Sequence, residues 1–331
     1  MLFRTLLSFR CFAMKNQLLH NRYRLVSPIG IGGTGVVYIA FDTQNAQKVA
    51  IKKVSVVSGD KLQLIEKEYR FLQKIAHDNL IKAFEFFVID DHAYIVFEYV
   101  YGKNLADIVV KNKHAVCLIS QLAIANQIAR GIEVLNTGGI IHRDIKPQNI
   151  MLNIRTGQVK IVDLGIARNM EDLGDLQDDI TGTYAYMSPE QTQGKISWTT
   201  DIFSLGVVLY QFFTWGDSSP FEEKNMYHTI EKIQTYNPID ICSVIDFASA
   251  TNKQKRAYEE ISQIIEKALY KCPEARWKSA GIVADMFFDL HQKLLNEVSE
   301  DPEKYKITTS RQISPQLQGV LHSMRDHYKS I

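Results

Sequence analysis

The chain has 331 residues, a length typical of two domains or of one large domain. Hydrophobic residues make up 46% and charged residues 23%, which excludes a disordered or fibrous chain and indicates a globular protein. The 38 Lys and Arg residues balance the 37 Asp and Glu residues, so we expect no nucleic-acid partner. The four cysteines are scattered and lack the spacing of a metal site, which favours a reducing, cytoplasmic location.

The first residues contain no Asp or Glu before Asp42 but several Arg and Lys side chains. Two interpretations of this start stay open: either residues 1–13 precede a true start at Met14, or the segment is an organelle transit peptide. The longest apolar stretch, residues 203–215, is shorter than the roughly 20 residues that a membrane span requires, so we expect a buried helix there and no span.

Strand patterns dominate the first hundred residues. Runs of β-branched and aromatic residues bounded by turn residues cover 22–26, 36–41, 49–54, 80–88 and 92–100. A helix is predicted after the third run, with Asp60 as its N-cap and Gln63 in capping-box position. Beyond Gly102 the pattern becomes helical, over residues 104–139, 200–213, 255–269 and 279–296. The sequence therefore predicts an α+β fold with a small β-rich lobe and a larger helical lobe.

The predicted organisation has four parts. Residues 1–20 form an N-terminal extension, residues 21–100 the first lobe and residues 101–298 the second lobe. Residues 299–331 form a polar tail in which apolar side chains recur at helical spacing, which indicates an amphipathic helix.

A glycine-rich segment lies between the first two predicted strands. It reads Gly30, Ile31, Gly32, Gly33, Thr34, Gly35 and matches Gly-x-Gly-x-x-Gly, which is weak evidence by itself. In a dinucleotide-binding fold such glycines open a helix, whereas here Val36 begins a strand. A hairpin that covers phosphates fits better, because glycine lets the backbone approach phosphate oxygens.

A lysine in the third predicted strand has a candidate partner in the following helix. Strand alternation places Lys52 on one face with Ala50, and a lysine on an inner face requires an anion. Glu68 falls on the apolar stripe of the helix, whereas Glu66 lies about 200° away on its water-facing side. We interpret Lys52 and Glu68 as an inward pair that orients the lysine towards nucleotide phosphates.

Three further segments follow in the second lobe. His142 to Asn149 reads His-Arg-Asp-Ile-Lys-Pro-Gln-Asn, Asp163 is followed by Leu-Gly, and Ser188 begins Ser-Pro-Glu. Together with the glycine segment and Lys52, in this order, they resemble the protein-kinase family, and especially the bacterial eukaryotic-like Ser/Thr kinases. The resemblance runs from Gly30 to Arg276 and implies the bilobal kinase fold, with an antiparallel sheet plus one helix in the N-lobe and a mainly helical C-lobe.

The resemblance implies a Ser/Thr protein kinase that uses ATP and Mg²⁺. Asp144 would accept the proton of the substrate hydroxyl, and Lys146 would contact the γ-phosphate. Asn149 and Asp163 would bind Mg²⁺. Lys146 followed by proline is typical of kinases that act on Ser or Thr, and Thr183 matches the threonine that bridges Asp144 and Lys146 in those kinases.

Other positions carry family roles through the same resemblance. Residues that would hold the nucleotide, besides the glycine segment, Lys52 and Asp163, are Val37, Ala50, Glu98, Val100 and Met151. Scaffold roles fall on Asp201, which would brace the catalytic-loop backbone, and on Glu190 and Arg276, which would form a buried ion pair. Tyr184 and Met187, with Ile180, would line an apolar pocket for the residue after the acceptor.

The predicted activation loop has an unusual composition. It has no Ser, Thr or Tyr between Gly165 and Thr181, and Asp179 stands where many related kinases carry a phosphothreonine. We hypothesise that Asp179 pairs with Arg143 and Arg168, which match two ligands of that phosphate, and so orders the loop without phosphorylation. The alternatives are that the acidic run is a solvated loop, or that Thr181 is the regulatory site.

The leading interpretation is an active kinase whose partners are protein substrates with Ser or Thr acceptors. A pseudokinase or nucleotide-binding scaffold is the second interpretation, and a small-molecule kinase the third. The sequence places the kinase in the cytoplasm, or in a host cytosol if it is a delivered protein. It does not indicate the oligomeric state.

Overall fold

A computed structural model describes residues 18–32, 35–56, 59–111, 116–164, 184–248 and 250–300. The chain divides into two compact units. One, here called the sheet unit, comprises Met1–Ala76 and Ile81–Tyr99, and the other, the helical unit, comprises His77–Leu80 and Val100–Ile331.

The sheet unit is built on five antiparallel strands. They are β1 (Tyr23–Gly32), β2 (Gly35–Asp42), β3 (Gln47–Ser55), β4 (Ala83–Ile89) and β5 (His92–Glu98), in the order β1-β2-β3-β5-β4. The helix α1 (Gly59–Lys74) lies between β3 and β4 in the chain. One face of the sheet forms an apolar core from side chains two residues apart along the strands. These core residues are Tyr23, Ala40, Val49, Ile51, Phe87, Tyr94 and Val96.

The helical unit contains seven α-helices among the described residues. They are α2 (Leu105–Lys111), α3 (Leu118–Thr137), α4 (Thr200–Thr214), α5 (Met226–Thr235), α6 (Ile241–Val244), α7 (Asn252–Ala268) and α8 (Ala280–Glu300). Helix α4 is buried on nearly every side, as the apolar stretch at residues 203–215 predicts. Helices α3 and α8 pack together, where Asn126 Nδ2 donates to the carbonyl oxygen of Ala284 at 2.8 Å.

A small antiparallel sheet joins three short strands of the helical unit. Its order is β6 (Gly102–Asn104), β7 (Ile150–Asn153) and β8 (Val159–Ile161). The backbones approach so closely at Gly102 that an added Cβ would lie 1.8 Å from the carbonyl oxygen of Leu152. Strand β7 directly follows residues 142–149, so this sheet fixes the end of the predicted catalytic motif.

The α+β fold predicted from the sequence is confirmed, but several helices differ from the prediction. The predicted helix 104–139 is two helices, and Cys117 is the N-cap of the second. Helix α5, which the sequence reading did not include, begins after Asn225, whose side chain accepts a hydrogen bond from the His228 N–H. Helix α1 begins at Gly59, one residue before Asp60. The predicted tail helix lies outside the described residues.

None of the helices in the described part of the chain is both long and apolar enough to cross a membrane.

Candidate active site

The catalytic motif lies on a loop between α3 and β7 whose backbone is held by a buried carboxylate. Asp201, in the first turn of α4, is 0% exposed. It accepts hydrogen bonds from the backbone N–H groups of His142 at 2.7 Å and Arg143 at 2.9 Å. Arg143 has a φ of 66°, a left-handed conformation that costs a non-glycine residue about 1–2 kcal/mol. The brace predicted at Asp201 is confirmed.

The carboxylate of Asp144 is nearly buried and is oriented by two neighbours on the same loop. Its Oδ2 lies 3.0 Å from Lys146 Nζ and 3.0 Å from Asn149 Nδ2. Asn149 Nδ2 also donates to the backbone carbonyl of Asp144 at 2.9 Å. Both hydrogens of the amide are thereby used, and the Oδ1 of Asn149 accepts no hydrogen bond from the described residues.

Asp163 follows β8 and is held close to the same loop by the backbone. The N–H of Val162 donates to the carbonyl oxygen of Asn149 at 2.9 Å. Asp163 itself has a φ of 59°, and Leu164 beside it is fully buried. An amide oxygen and a carboxylate from two adjacent segments are the hard ligands that Mg²⁺ takes in small number from proteins.

The sheet unit buries both members of the predicted lysine–glutamate pair. Lys52 is 8% exposed and Glu68 is 2% exposed, whereas the Glu66 side chain is 37% exposed and pairs with Arg70. Lys52 stands opposite Ile95 in the sheet, and Ile95 stands opposite Phe86.

The strand register decides which sheet face Lys52 occupies. Cross-strand partners point to the same face, so Lys52 and Phe86 share one. The ring of Tyr69 in α1 stacks on Phe86 with centroids 5.6 Å apart. Helix α1, which carries Glu68, therefore covers the face from which Lys52 projects.

The glycine segment forms the end of the β1–β2 hairpin. Gly32 and Gly35 are the last paired residues, and Gly33 and Thr34 lie outside the described residues. A Cβ at Gly32 would meet nothing within 4 Å, so the packing of the chain does not require glycine there. Gly35 has a φ of 132° and a Cβ there would lie 2.2 Å from the carbonyl oxygen of Lys53.

Two further glycine-segment positions lie on β1. Gly30 pairs with Val37, and Ile31 is 77% exposed.

The candidate adenine-binding residues are divided between the units. Val37 and Ala50 lie half-buried on β2 and β3, and the Oε1 of Glu98 accepts a hydrogen bond from the Lys82 N–H at 2.9 Å. Val100 and Met151 belong to the helical unit and are also half-buried, Met151 on β7.

A buried ion pair anchors the segment after the activation loop. Arg276 donates to both carboxylate oxygens of Glu190, at 2.8 and 2.7 Å, and its side chain is 0% exposed. Burial alone raises the pKa of the Glu190 carboxyl, but the hydrogen bonds and charge of Arg276 outweigh that effect and hold the pKa below its ordinary value. The pair predicted from the family resemblance is confirmed.

One polar residue at this site was not predicted from the sequence. Gln191 is 4% exposed, and its Nε2 donates to the carbonyl oxygen of Arg143 at 2.8 Å. It lies 48 residues from its acceptor, and no local pattern marks it.

Four of the five predicted regulatory residues lie outside the described residues: Arg168, Asp179, Thr181 and Thr183. Arg143 is described, and its buried Nε has no hydrogen-bond partner among the described residues. Its pairing with Asp179 stays a prediction.

Two residues of the predicted apolar substrate pocket are buried and pack together. Tyr184 and Met187 are 6% and 5% exposed and form a cluster against which Met226, at the start of α5, packs. The pocket itself stays a prediction. Ile180 lies outside the described residues.

Residues 23–288 match the family model of the protein kinase domain. The chain belongs to the protein kinase family. The kinase chain is 30% identical over 306 residues to a probable serine/threonine-protein kinase of Clostridium acetobutylicum, which covers 91% of this chain and 44% of that protein. It is 29% identical over 327 residues to the probable serine/threonine-protein kinase PknB of Corynebacterium glutamicum, covering 89% of this chain and 48% of that protein.

A third relative, a probable serine/threonine-protein kinase of Clostridium perfringens, is 35% identical over 206 residues, or 61% of this kinase chain and 30% of that protein. The chain spans less than half the length of these three relatives.

Proposed function

We propose that the chain is an ATP-dependent Ser/Thr protein kinase. The observation that carries the proposal is the arrangement around Asp144, whose Oδ2 lies 3.0 Å from both Lys146 Nζ and Asn149 Nδ2. One segment of the chain thus holds a cation and an amide, each within hydrogen-bond distance of the Asp144 carboxylate. Phosphoryl transfer needs these groups in place, because most of its catalysis is positioning and electrostatic stabilisation.

The donor set fits Mg²⁺. The Oδ1 of Asn149 is left for a cation because the Nδ2 of the same amide makes two hydrogen bonds within the loop. Asp163 supplies a carboxylate from the adjacent segment. When bound, the ion neutralises the charge of the phosphates.

The transfer step assigns one role to each loop residue. The hydroxyl oxygen of a substrate Ser or Thr bonds to the γ-phosphorus as the bond to the β–γ bridging oxygen breaks, and ADP leaves with that electron pair. Asp144 accepts the hydroxyl proton. Lys146, whose Nζ lies 3.0 Å from the Asp144 carboxylate, places a positive charge beside the γ-phosphate oxygens.

The sheet unit supplies the phosphate contacts of the proposal. Lys52 contacts the phosphates and Glu68 orients it, since both are buried, Lys52 on the face that α1 covers and Glu68 on α1 itself. The backbone of the glycine hairpin covers the phosphates, and the open space beside the Gly32 Cα leaves room for a ligand there. The family resemblance assigns adenine contacts to Val37, Ala50 and Met151, and backbone hydrogen bonds to Glu98 and Val100.

Protein substrates with a Ser or Thr acceptor fit the Lys146–Pro147 pair and the cluster of Tyr184 and Met187. That cluster favours an apolar side chain directly after the acceptor. We keep the pairing of Asp179 with Arg143 and Arg168 as the proposed means of loop ordering, with Thr181 as the alternative regulatory site and Thr183 as the bridge between Asp144 and Lys146.

The test is transfer of labelled phosphate from ATP in the presence of Mg²⁺, to the protein itself and to a peptide library, with modified residues mapped by mass spectrometry. The expected result is label on Ser or Thr that disappears in the Asp163→Ala variant and persists in Asp285→Ala, a surface control whose side chain is 65% exposed. Nucleotide binding without transfer by the wild type contradicts the proposal and supports the pseudokinase alternative.

A further inference from the structure

Two consecutive peptide planes of the catalytic loop are each held by a different side chain. The N–H of Arg143 belongs to the plane between residues 142 and 143 and donates to Asp201 at 2.9 Å. The carbonyl of Arg143 belongs to the next plane, between residues 143 and 144, and accepts from Gln191 Nε2 at 2.8 Å. The torsion angles of Arg143 lie between these two planes, and its φ is 66°.

The backbone that carries the Gln191 side chain is itself held in position. Gln191 begins a short 3-10 helix over Gln191–Gln193, and its N–H donates to the Oγ of Ser188 at 3.4 Å. The preceding residue, Glu190, is bonded to buried Arg276 and to the hydroxyl of Thr200 at 2.9 Å. Gln191 therefore reaches the catalytic loop from a rigid anchor.

We propose that Gln191 is a positioning residue for Asp144, acting by holding the peptide plane between Arg143 and Asp144. This inference rests on the proposed function, because its main readout is phosphoryl transfer. Asp144 is the residue directly after that plane, so rotation of the plane moves its carboxylate relative to Lys146 and Asn149. Asp201 holds only the preceding plane, and the other bond to the plane between Arg143 and Asp144 is local: the N–H of Asp144 donates to His142 Nδ1 at 3.3 Å.

The hydrogen bond from Gln191 helps to keep Arg143 in its left-handed conformation. A non-glycine residue relaxes from this conformation to negative φ when its flanking planes are free to turn. Without the Gln191 amide, the plane between residues 143 and 144 loses its only restraint from a distant side chain among the described residues, and its part-buried carbonyl loses a donor. The same bond links the catalytic loop to the segment that carries Tyr184 and Met187, so peptide-binding and catalytic segments are coupled through one side chain.

The test replaces the amide without changing the length of the side chain. For Gln191→Met we expect kcat to fall about tenfold, the size of one lost hydrogen bond, with a smaller change in the KM for ATP. The KM is expected to change less because Lys52 and the glycine hairpin, which are proposed to contact the phosphates, belong to the sheet unit, whereas Lys146 and Asn149 share the loop that Gln191 holds. The matched control is Gln193→Met, on the same short helix and exposed, for which we expect wild-type kcat.

A second variant separates positioning from packing. The carboxyl introduced by Gln191→Glu is of equal size, repels the Arg143 carbonyl when ionised, and can donate a hydrogen bond when protonated. The ratio of its kcat to the wild-type kcat is expected to rise as the pH falls. A ratio that does not change with pH contradicts the proposal, because a purely structural role has no reason to depend on protonation.

A third measurement does not need activity. Hydrogen–deuterium exchange of the segment around residues 140–147 is expected to be faster in Gln191→Met than in Gln193→Met. If the wild type transfers no phosphate, the proposed function is wrong and the exchange result alone decides the positioning role. If the wild type is active and Gln191→Met matches it in both kcat and exchange, the positioning role is wrong.

Discussion

The sheet unit and the helical unit place their candidate functional groups by different means. Lys52 and Glu68 are carried by regular elements, a central strand and a helix, whose register and packing decide where the side chains point. Asp144 lies on an irregular loop and Asn149 at the end of a short 3-10 helix that follows it. The loop backbone is held by distant side chains: its N–H groups donate to Asp201, and one of its carbonyls accepts from Gln191.

The difference shows what each arrangement depends on. A strand residue is held by a ladder of backbone bonds that survives most side-chain changes. A loop residue depends on a few specific side chains, so single substitutions far away in sequence can displace it. Four predictions test this contrast between residues held by regular elements and residues held by specific side chains.

The largest effect is expected at the loop itself. Asp144→Asn keeps the size of the side chain but removes the group that accepts the proton, so kcat is expected to fall by about 10²–10⁴-fold. Steady-state kinetics with a peptide substrate checks this, with Asp285→Asn as the surface control. Turnover equal to the wild type shows that Asp144 is not the base.

The next effect concerns the anchor beside the loop. Arg276→Met leaves the Glu190 carboxylate buried without its cation, so the free energy of unfolding is expected to fall by about 3–5 kcal/mol. Arg130→Met removes a surface pair with Asp285 and is expected to cost less than about 1 kcal/mol. Chemical denaturation of both variants checks the contrast, and equal losses contradict it.

A smaller effect is expected in the regular hairpin of the sheet unit. Gly35→Ala forces a Cβ towards the carbonyl oxygen of Lys53 at a φ of 132°, which we expect to lower the stability by about 2–3 kcal/mol. Gly32→Ala meets no neighbour, so we expect an unchanged melting temperature and a raised KM for ATP. The prediction is wrong if the melting temperature falls equally in both variants and the KM for ATP does not change. Gly35 would then not differ from Gly32 in its structural role, and Gly32 would not face the ligand.

The smallest effect is expected at Lys271, a lysine outside the β-sheets. Lys271 Nζ is buried, has no hydrogen-bond partner among the described residues and lies 4.5 Å from the ring centre of Phe221. Burial, with the nearby charge of Arg276, lowers the pKa of Lys271 to about 8.

The folded-state pKa of Lys271 lies below that of the unfolded chain, so the unfolded state binds the proton more strongly. Stability is therefore reduced below about pH 8 and recovers as the pH rises towards about 10. We expect Lys271→Met to stabilise the protein by about 1–2 kcal/mol at neutral pH and to flatten this dependence. Urea denaturation across this pH range checks it, with Lys278→Met as the exposed control, and a Lys271→Met variant less stable than the wild type contradicts it.

The regular part of the fold was predictable because periodicity is a local signal. The β-branched runs placed β2 and β3, and the apolar stretch placed α4. Local patterns were less informative where no Gly or Pro marks a boundary, as between α2 and α3. Strands β6 and β8 have three residues each, too few for an alternating pattern to be visible.

The residues of the candidate site were predictable where they belong to contiguous sequence motifs. Asp144, Lys146 and Asn149 fall within six residues of one another, and the family resemblance supplied Asp201 and the Glu190–Arg276 pair. Gln191 was missed because its acceptor is a backbone carbonyl 48 residues away. A backbone carbonyl carries no residue-type signal, so only coordinates reveal such a bond.

The two hydrogen bonds of the Asn149 amide have a consequence for the charge of the catalytic loop. Both bonds use the Nδ2 atom, so a neutral amide stands beside Asp144, the single carboxylate of the motif. An aspartate in place of Asn149 would set two negative groups side by side and would lose both of these donated bonds. The uncharged amide therefore lets one residue bind the Asp144 carboxylate and the Asp144 backbone carbonyl at once.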